Sequence, residues 1–236
     1  MITFEILIND TFANTNTDGS LTPVNNKSVL SMINNFEGGQ WRYEIFQNFI
    51  WDNITETSLS FRERGSLVNK SHSLLTSAAQ NLRLTDKEGD ISKGSELAEI
   101  VLYGIMKHHY NALPVVPKIF YKQNAQDNAK GADSGHIVIE NGTDFSIWFG
   151  EAKFYVSIED ARLGEIVQSV ENSLLTDKIK KENSIITNVS DLDLLVKEEP
   201  LCTKIKEALS ARESIDDLKP KLHIPILLLH ECEITK

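Results

Sequence analysis

The spacing of apolar positions changes along the chain, and the change separates a helical first part from a mixed remainder. Residues 2–8 (ITFEILI) fit a short strand, and 9–27, rich in Asn, Thr, Asp and Gly, read as a loop. A helix is expected within 28–36, stopped by Gly38-Gly39. Trp41, Ile45, Phe46, Phe49 and Ile50 then recur near helical spacing through 40–52. Leu67, Leu74, Leu75, Ala78, Ala79 and Leu82 do the same through 59–84. Such stripes read as core, the aromatic one included. Residues 1–88 are therefore expected to form a mostly helical N-terminal portion packed on a core of 89–236, with no low-complexity linker between them.

A charged turn at 85–93 precedes ELAEIVLYGIMKHHY, whose Leu97, Ile100, Val101, Gly104 and Ile105 predict a long, largely buried helix ended by Pro114. The β-rich VVPKIFYK (115–122) predicts a first sheet strand, and 124–130 a polar loop. Two more strands follow near 133–140 and 145–153, joined by a turn at Asn141-Gly142. Ser157-x-x-Asp160 opens a helix over 158–175 that would bury Ala161, Ile166, Val167, Val170 and Leu174. Lys178, Lys180 and Lys181 read as a solvated basic face, 182–190 as polar, and 191–211 as two helical pieces broken at Pro200. The apolar run LHIPILLL (222–229) predicts a buried strand. Helix, three strands, helix, helical linker and strand together define an α/β fold with a mixed sheet, of the α+β type.

Composition narrows the function classes. A chain of 236 residues that is 41% hydrophobic holds one large domain or a core with an accessory lobe. No run reaches the roughly 18 to 20 apolar residues of a membrane span, and MITFEILINDTF lacks a basic n-region and an h-region. The expected location is cytoplasmic, with no membrane partner. Cys202 and Cys232 belong to no CxxC or Cys/His cluster and read as reduced structural thiols. A net charge of −10 tells against a module that binds nucleic acid unaided. It leaves an enzyme whose acids hold cations, or a subunit that borrows a basic surface. The absence of GxxxxGK[ST], GxGxxG and GxSxG removes nucleotide triphosphatase, dinucleotide-binding and α/β-hydrolase readings.

The chemistry concentrates in KGADSGHIVIENGTDFSIWFGEAKFY (130–155). Hydrolysis of a phosphodiester needs charge neutralisation and an activated water, and a divalent cation on carboxylates supplies both. Mg²⁺, with Mn²⁺ as the alternative, needs only one or two carboxylates, but they must converge. Asp133 at a strand end and Glu151 on the adjacent antiparallel strand can do so, and the carbonyl of Ala152 adds an oxygen. Lys153 shares a strand face with Glu151 and would orient the nucleophile or stabilise the phosphate. Glu96, in the first turn of the preceding helix, would be a further acid; its other reading is as a partner of the helix dipole. A Glu-x-Lys on a strand is otherwise a solvent-facing pair, and an Asp in a Gly-rich approach a turn residue. The apolar flanks Trp148, Phe149, Phe154 and Tyr155 favour a site, because charges placed there need a partner or a ligand. His108 and His109 read as favourable charges at a helix C-terminus rather than as metal ligands.

Glu96, Asp133 and Glu151-Ala152-Lys153, in the order α-β-β-β-α-β, resemble the PD-(D/E)xK nuclease superfamily. Asp133 follows Ala132 and not the proline of the motif, a common departure. FRER (61–64), KGSELAEIVLYGIM (93–106), KGADSGHI (130–137) and WFGEAKFY (148–155) more closely resemble the HamA-like nuclease subunit of the bacterial Hachiman antiphage defence system. The resemblance runs from about 40 to 230 and is clearest from 94 to 175. It implies a restriction-endonuclease-like core, metal-dependent cleavage or nicking of DNA, and a superfamily 2 helicase partner (HamB-like) in a heterodimer that restrains the nuclease. Carried over, the site is Asp133, Glu151 and Lys153 with Glu96, and Gln168 on the following helix falls where many members place a polar residue. The alternatives are a catalytically silent nuclease-fold subunit that regulates a helicase, and a stand-alone restriction-type endonuclease.

Overall fold

A computed structural model describes residues 5–7, 12–14, 30, 32–82, 95–116, 119, 132–155, 160–188 and 191–230. The strands are β1 (Glu5–Leu7), β2 (Phe12–Asn14), β3 (Met32–Asn34), β4 (Phe36–Glu37), β5 (Gln40–Trp41), β6 (Leu113–Val116), β7 (Ser134–Glu140), β8 (Asp144–Tyr155), β9 (Leu222–His223) and β10 (Ile226–His230). The helices, numbered among the described residues, are α1 (Tyr43–Ser58), α2 (Phe61–Ser66), α3 (Ser71–Gln80), α4 (Ser95–His109), α5 (Asp160–Ser173), α6 (Thr176–Asn188), α7 (Asp191–Leu195), α8 (Glu199–Ala208) and α9 (Ile215–Leu218). The result is a mixed α/β fold, as the order of apolar patterns predicts.

The twelve-residue β8 is the axis of the main sheet. Its first half pairs antiparallel with β7, from Glu140↔Asp144 to Ser134↔Gly150. The three-residue turn between them, 141–143, has positive φ at Asn141 (50°) and Gly142 (73°), a left-handed conformation that Asn and Gly tolerate best. On its other edge β8 pairs parallel with β9 and then with β10, which is in register from Ile226↔Glu151 to His230↔Tyr155. A parallel partner demands a crossover, and α5 to α9 provide it. β6 closes the far edge on β7, with a register shift between Pro114 and Val116 where proline has no N–H to give.

Alternation along β8 divides the layers. Phe145, Ile147 and Phe149 face a core with Ile179, Ile186, Leu192, Leu201, Ile205 and Leu209 of the crossover helices. Trp148, Ala152 and Phe154 face Ala98, Leu102 and Met106 of α4. Because both faces of β8 are covered, apolar residues fall on both of its alternating sets. α4 is itself covered on its outer side, where Val101 and Ile105 pack with Phe49 and Ile100 with Ile54 of α1. Within the α4 layer His136 of β7 is 1% exposed, beside Tyr103 at a ring-centroid distance of 5.2 Å. Neither His136 ring nitrogen has a hydrogen-bond partner among the described residues, and burial lowers its pKa to about 3.

Several expectations need correction. The helix expected within 28–36 is replaced by β3 and by the β4–β5 hairpin, because Gly38 (φ 59°) and Gly39 (φ 79°) make a turn and do not stop a helix. β3 pairs with β2, which lies within the stretch expected as loop. The helix expected over 59–84 is two, parted at Asn69 (φ 65°), and α2 starts on a Ser60–Glu63 capping box. The polar stretch 182–190 is helical up to Asn188, with Glu182 and Asn183 buried, so polar residues occupy the inward stripe that periodicity looks for in apolar ones. The two helical pieces expected over 191–211 are present as α7 and α8, and Pro200 lies in the first turn of the second, just after the break at 196–198. Val167 is 55% exposed and not part of the buried face of α5, whereas Ile166 is buried. The final strand is interrupted at Ile224-Pro225 and is an edge strand, with Ile226 45% exposed. The first strand ends at Val116; the rest of 115–122, apart from the buried Ile119, lies outside the described residues, as do Ser157 and Cys232. Cys202 is free and buried, as a structural thiol should be.

Two measurements test this packing. A Cβ built on Gly104 falls 2.2 Å from Cζ of Phe49. Gly104→Ala should therefore lower stability in urea by about 1 to 3 kcal/mol through overpacking. Intrinsic helix propensity alone would raise it by about 1 kcal/mol, and Phe49→Leu in the same chain should restore much of the loss. His136 stays neutral in the fold while an unfolded imidazole titrates near its ordinary value, so the unfolded state takes up the proton first. Its contribution is whole above about pH 6.5 and is lost as pH falls toward about 3, with a slope of up to about 1.4 kcal/mol per pH unit. Urea titrations across that range should show the slope, and His136→Leu should remove it.

Candidate active site

The site forms where β7 stops and β8 continues. Ser134↔Gly150 is the last pair of that ladder, and the N–H of Asp133 still donates to the Gly150 carbonyl (2.8 Å). The next N–H on that edge of β8, from Ala152, has no strand opposite it and donates instead to Oδ2 of Asp133 (3.0 Å). On the other edge the N–H of Glu151 donates to the carbonyl of Pro225 (3.0 Å). Peptide groups alternate between edges, so the carbonyl of Ala152 points to the Asp133 side together with its N–H.

Side chains follow the same alternation. Glu151 and Lys153 project from one face of β8, away from α4, while the Ala152 methyl packs on α4. Lys153 Nζ lies 2.5 Å from Oε1 of Glu151 and 3.7 Å from Oδ2 of Asp133. Glu151 is 5% exposed. Burial acts to lower the Lys153 pKa, but the hydrogen bond to Glu151 and the charges of Asp133, Glu151 and Tyr155 outweigh it, and the ammonium is held above its ordinary value. A carboxylate taken this far from water needs that cation.

A further contact comes from α5: the Ser169 hydroxyl donates to Glu151 Oε1 at 2.6 Å. Gln168, expected from the resemblance to take a polar place here, is exposed and donates its amide to Glu171 of its own helix (3.4 Å). One residue along a helix is a turn of about 100°, so the two cannot share a face. Spacing from Ile166 would have identified Ser169, since i and i+3 lie on one stripe. On the α4 face, Asp133 and Ser134 border a small cleft with Thr57, Glu99, Tyr103, Val116 and Ile119. Glu99 is 4% exposed, a carboxylate inside a helix covered on all sides. Glu96, the acid expected on this helix, lies one turn earlier and is partly exposed.

Among the described residues, no group of three or more His, Cys, Asp and Glu converges as a metal cage. What converges is Asp133, Glu151 and Lys153, with the Ala152 carbonyl on the same edge. Two carboxylates and a carbonyl suit a hard, oxygen-seeking cation that keeps part of its water, such as Mg²⁺ or Mn²⁺. No described residue bonds Oε2 of Glu151, so that oxygen is available to such an ion.

The class of protein this defines is an α+β domain whose central strand carries an acid and a lysine two residues apart, opposite an acid that ends the neighbouring strand. The HamA family model matches residues 7–236, and the chain belongs to the HamA family, that of a Hachiman antiphage defence subunit. No curated protein and no solved structure matches the chain. No helix among the described residues is long and apolar enough to cross a membrane.

Removing the lysine tests the electrostatics without reference to activity. Lys153→Met keeps the length of the apolar stem but leaves Glu151 buried beside Asp133 with no cation. Unfolding in urea at neutral pH should show a loss of about 1 to 3 kcal/mol, whereas an exposed ion pair would register about 0 to 1 kcal/mol.

Proposed function

We propose that this chain is the metal-dependent DNA nuclease subunit, nickase or endonuclease, of a cytoplasmic antiphage defence complex, with a PD-(D/E)xK-type core controlled by a superfamily 2 helicase in a heterodimer. The observation that carries the reading is the convergence of Asp133, Glu151 and Lys153 at the one place where the β7–β8 ladder opens. Membership of the HamA family supports the defence context. The acidic chain, at −10, fits a subunit whose DNA track is supplied by its partner.

Asp133 and Glu151, with the Ala152 carbonyl, are the groups that would hold Mg²⁺ or Mn²⁺. The ion would supply charge neutralisation at the phosphate and a more acidic water. Lys153 then has two tasks. Its ammonium, kept protonated by its neighbours, donates hydrogen bonds to the attacking water or to a phosphoryl oxygen and offsets charge that develops during displacement. Its stem, on the Glu151 face, fixes on which side of the sheet the phosphate must approach. Glu96 and Glu99, on α4, are the candidates for a further acid, and the cleft that Glu99 shares with Asp133 favours Glu99.

The alternative is a catalytically silent interaction subunit; the ammonium seated between the acids would then be a purely structural ion pair. Supercoiled plasmid with Mg²⁺ or Mn²⁺, given to the purified chain with and without its co-expressed helicase, separates the two. Asp133→Asn keeps an acceptor for the Ala152 N–H, so fold loss is not confused with loss of chemistry. With Asp133→Asn, Glu151→Gln or Lys153→Ala, nicking should fall by about a hundredfold or more while circular dichroism stays unchanged. Parental rates in both acid variants, or an intact plasmid under every condition, would overturn the proposal.

A further inference from the structure

Hydroxyls on helices ordinarily return to their own backbone. Ser173 on α5 does so to the Val170 carbonyl (2.7 Å), Thr187 on α6 to Asn183 (3.0 Å), Thr76 on α3 to His72 (2.8 Å) and Thr57 on α1 to Ile54 (3.0 Å). Ser169 departs from this habit. Its Oγ crosses from α5 to the sheet and donates to Oε1 of Glu151 at 2.6 Å. Ile166, three residues earlier and buried, seats this face of the helix, so the hydroxyl is delivered from an anchored position.

Oε1 also receives Lys153, at 2.5 Å. A carboxylate oxygen has about two lone-pair directions, and with the hydroxyl and the ammonium both on Oε1 its capacity is filled. Oε2 carries no hydrogen bond from a described residue. We infer that Ser169 is a positioning residue for the metal site: by sharing Oε1 with Lys153 it fixes the rotation of the Glu151 carboxylate and presents Oε2 alone to a divalent cation. The inference rests on the metal-site reading above. Gln168, which the resemblance marks as a polar position on this helix, turns its amide to Glu171 instead. Outer partners of this kind affect metal affinity about 10- to 100-fold when removed.

The test is binding of Mn²⁺ to the purified chain, alone and with its co-expressed helicase, followed by electron paramagnetic resonance without DNA and so without turnover. Ser169→Ala should weaken Mn²⁺ binding about tenfold or more at an unchanged melting temperature, and Ser169→Thr, which keeps the hydroxyl, should stay within about twofold of the parent. If the alanine variant fails to fold, Ser169→Cys, of similar size and with a weak donor, replaces it and should also weaken binding. Glu151→Gln is the reference. If it loses Mn²⁺ while Ser169→Ala keeps parental affinity, the role of Ser169 is overturned and the metal site stands. If parent and Glu151→Gln bind alike, or the parent does not bind, the metal site itself falls and this inference with it.

Discussion

The structure turns on the need of one buried peptide N–H for an acceptor. β8 outlasts β7, and the first N–H beyond the shared ladder belongs to Ala152, a residue with no exposed surface. Left unmade, such a hydrogen bond costs about 1 to 3 kcal/mol. The chain meets the need with the carboxylate of Asp133, whose own N–H is held by the Gly150 carbonyl. The bond that ends the sheet is thereby also the bond that aims an acid at Glu151 and Lys153. Architecture and chemistry share an atom, Oδ2 of Asp133.

The surrounding layers make the charges bearable and keep them in place. α5 lies over the Glu151 face and supplies a hydroxyl; α4 lies under the Ala152 face and supplies methyl and methylene groups. At Gly150, β8 runs close against both β7 and α4. A Cβ there would sit 2.3 Å from Oγ of Ser134 and 2.8 Å from Cδ2 of Leu102, so only glycine lets β8 pass beside β7 and α4 directly before the acid. Glu151 is buried among these elements with a lysine against it, an arrangement whose worth lies in its fixed geometry more than in net stability.

Much of this was legible in the residues, for definite reasons. The β7–β8 hairpin follows from alternating apolar positions on either side of Asn141-Gly142, and the apolar surroundings of Glu151 and Lys153 pointed to charges held inside. α4 followed from its unbroken apolar pattern. What escaped was what periodicity cannot carry. β2 and β3 are three residues each and pair with one another across a long polar stretch. α6 hides Glu182 and Asn183 where an apolar residue was looked for. The contact of Ser169 with Glu151 was not legible, because serine carries little signal by type and its partner follows only from the face on which it stands.

The parallel pairing of β8 with β10 sets an order in time. Glu151 acquires its second backbone anchor, the Pro225 carbonyl, and its lateral neighbour, Ile226, only when the chain has been made as far as the last strand. During synthesis the hairpin that bears Asp133, Glu151 and Lys153 can close early, since its contacts are local. The edge that holds Glu151 in line cannot. A growing chain on the ribosome therefore carries all three charged residues long before it carries the assembled cluster.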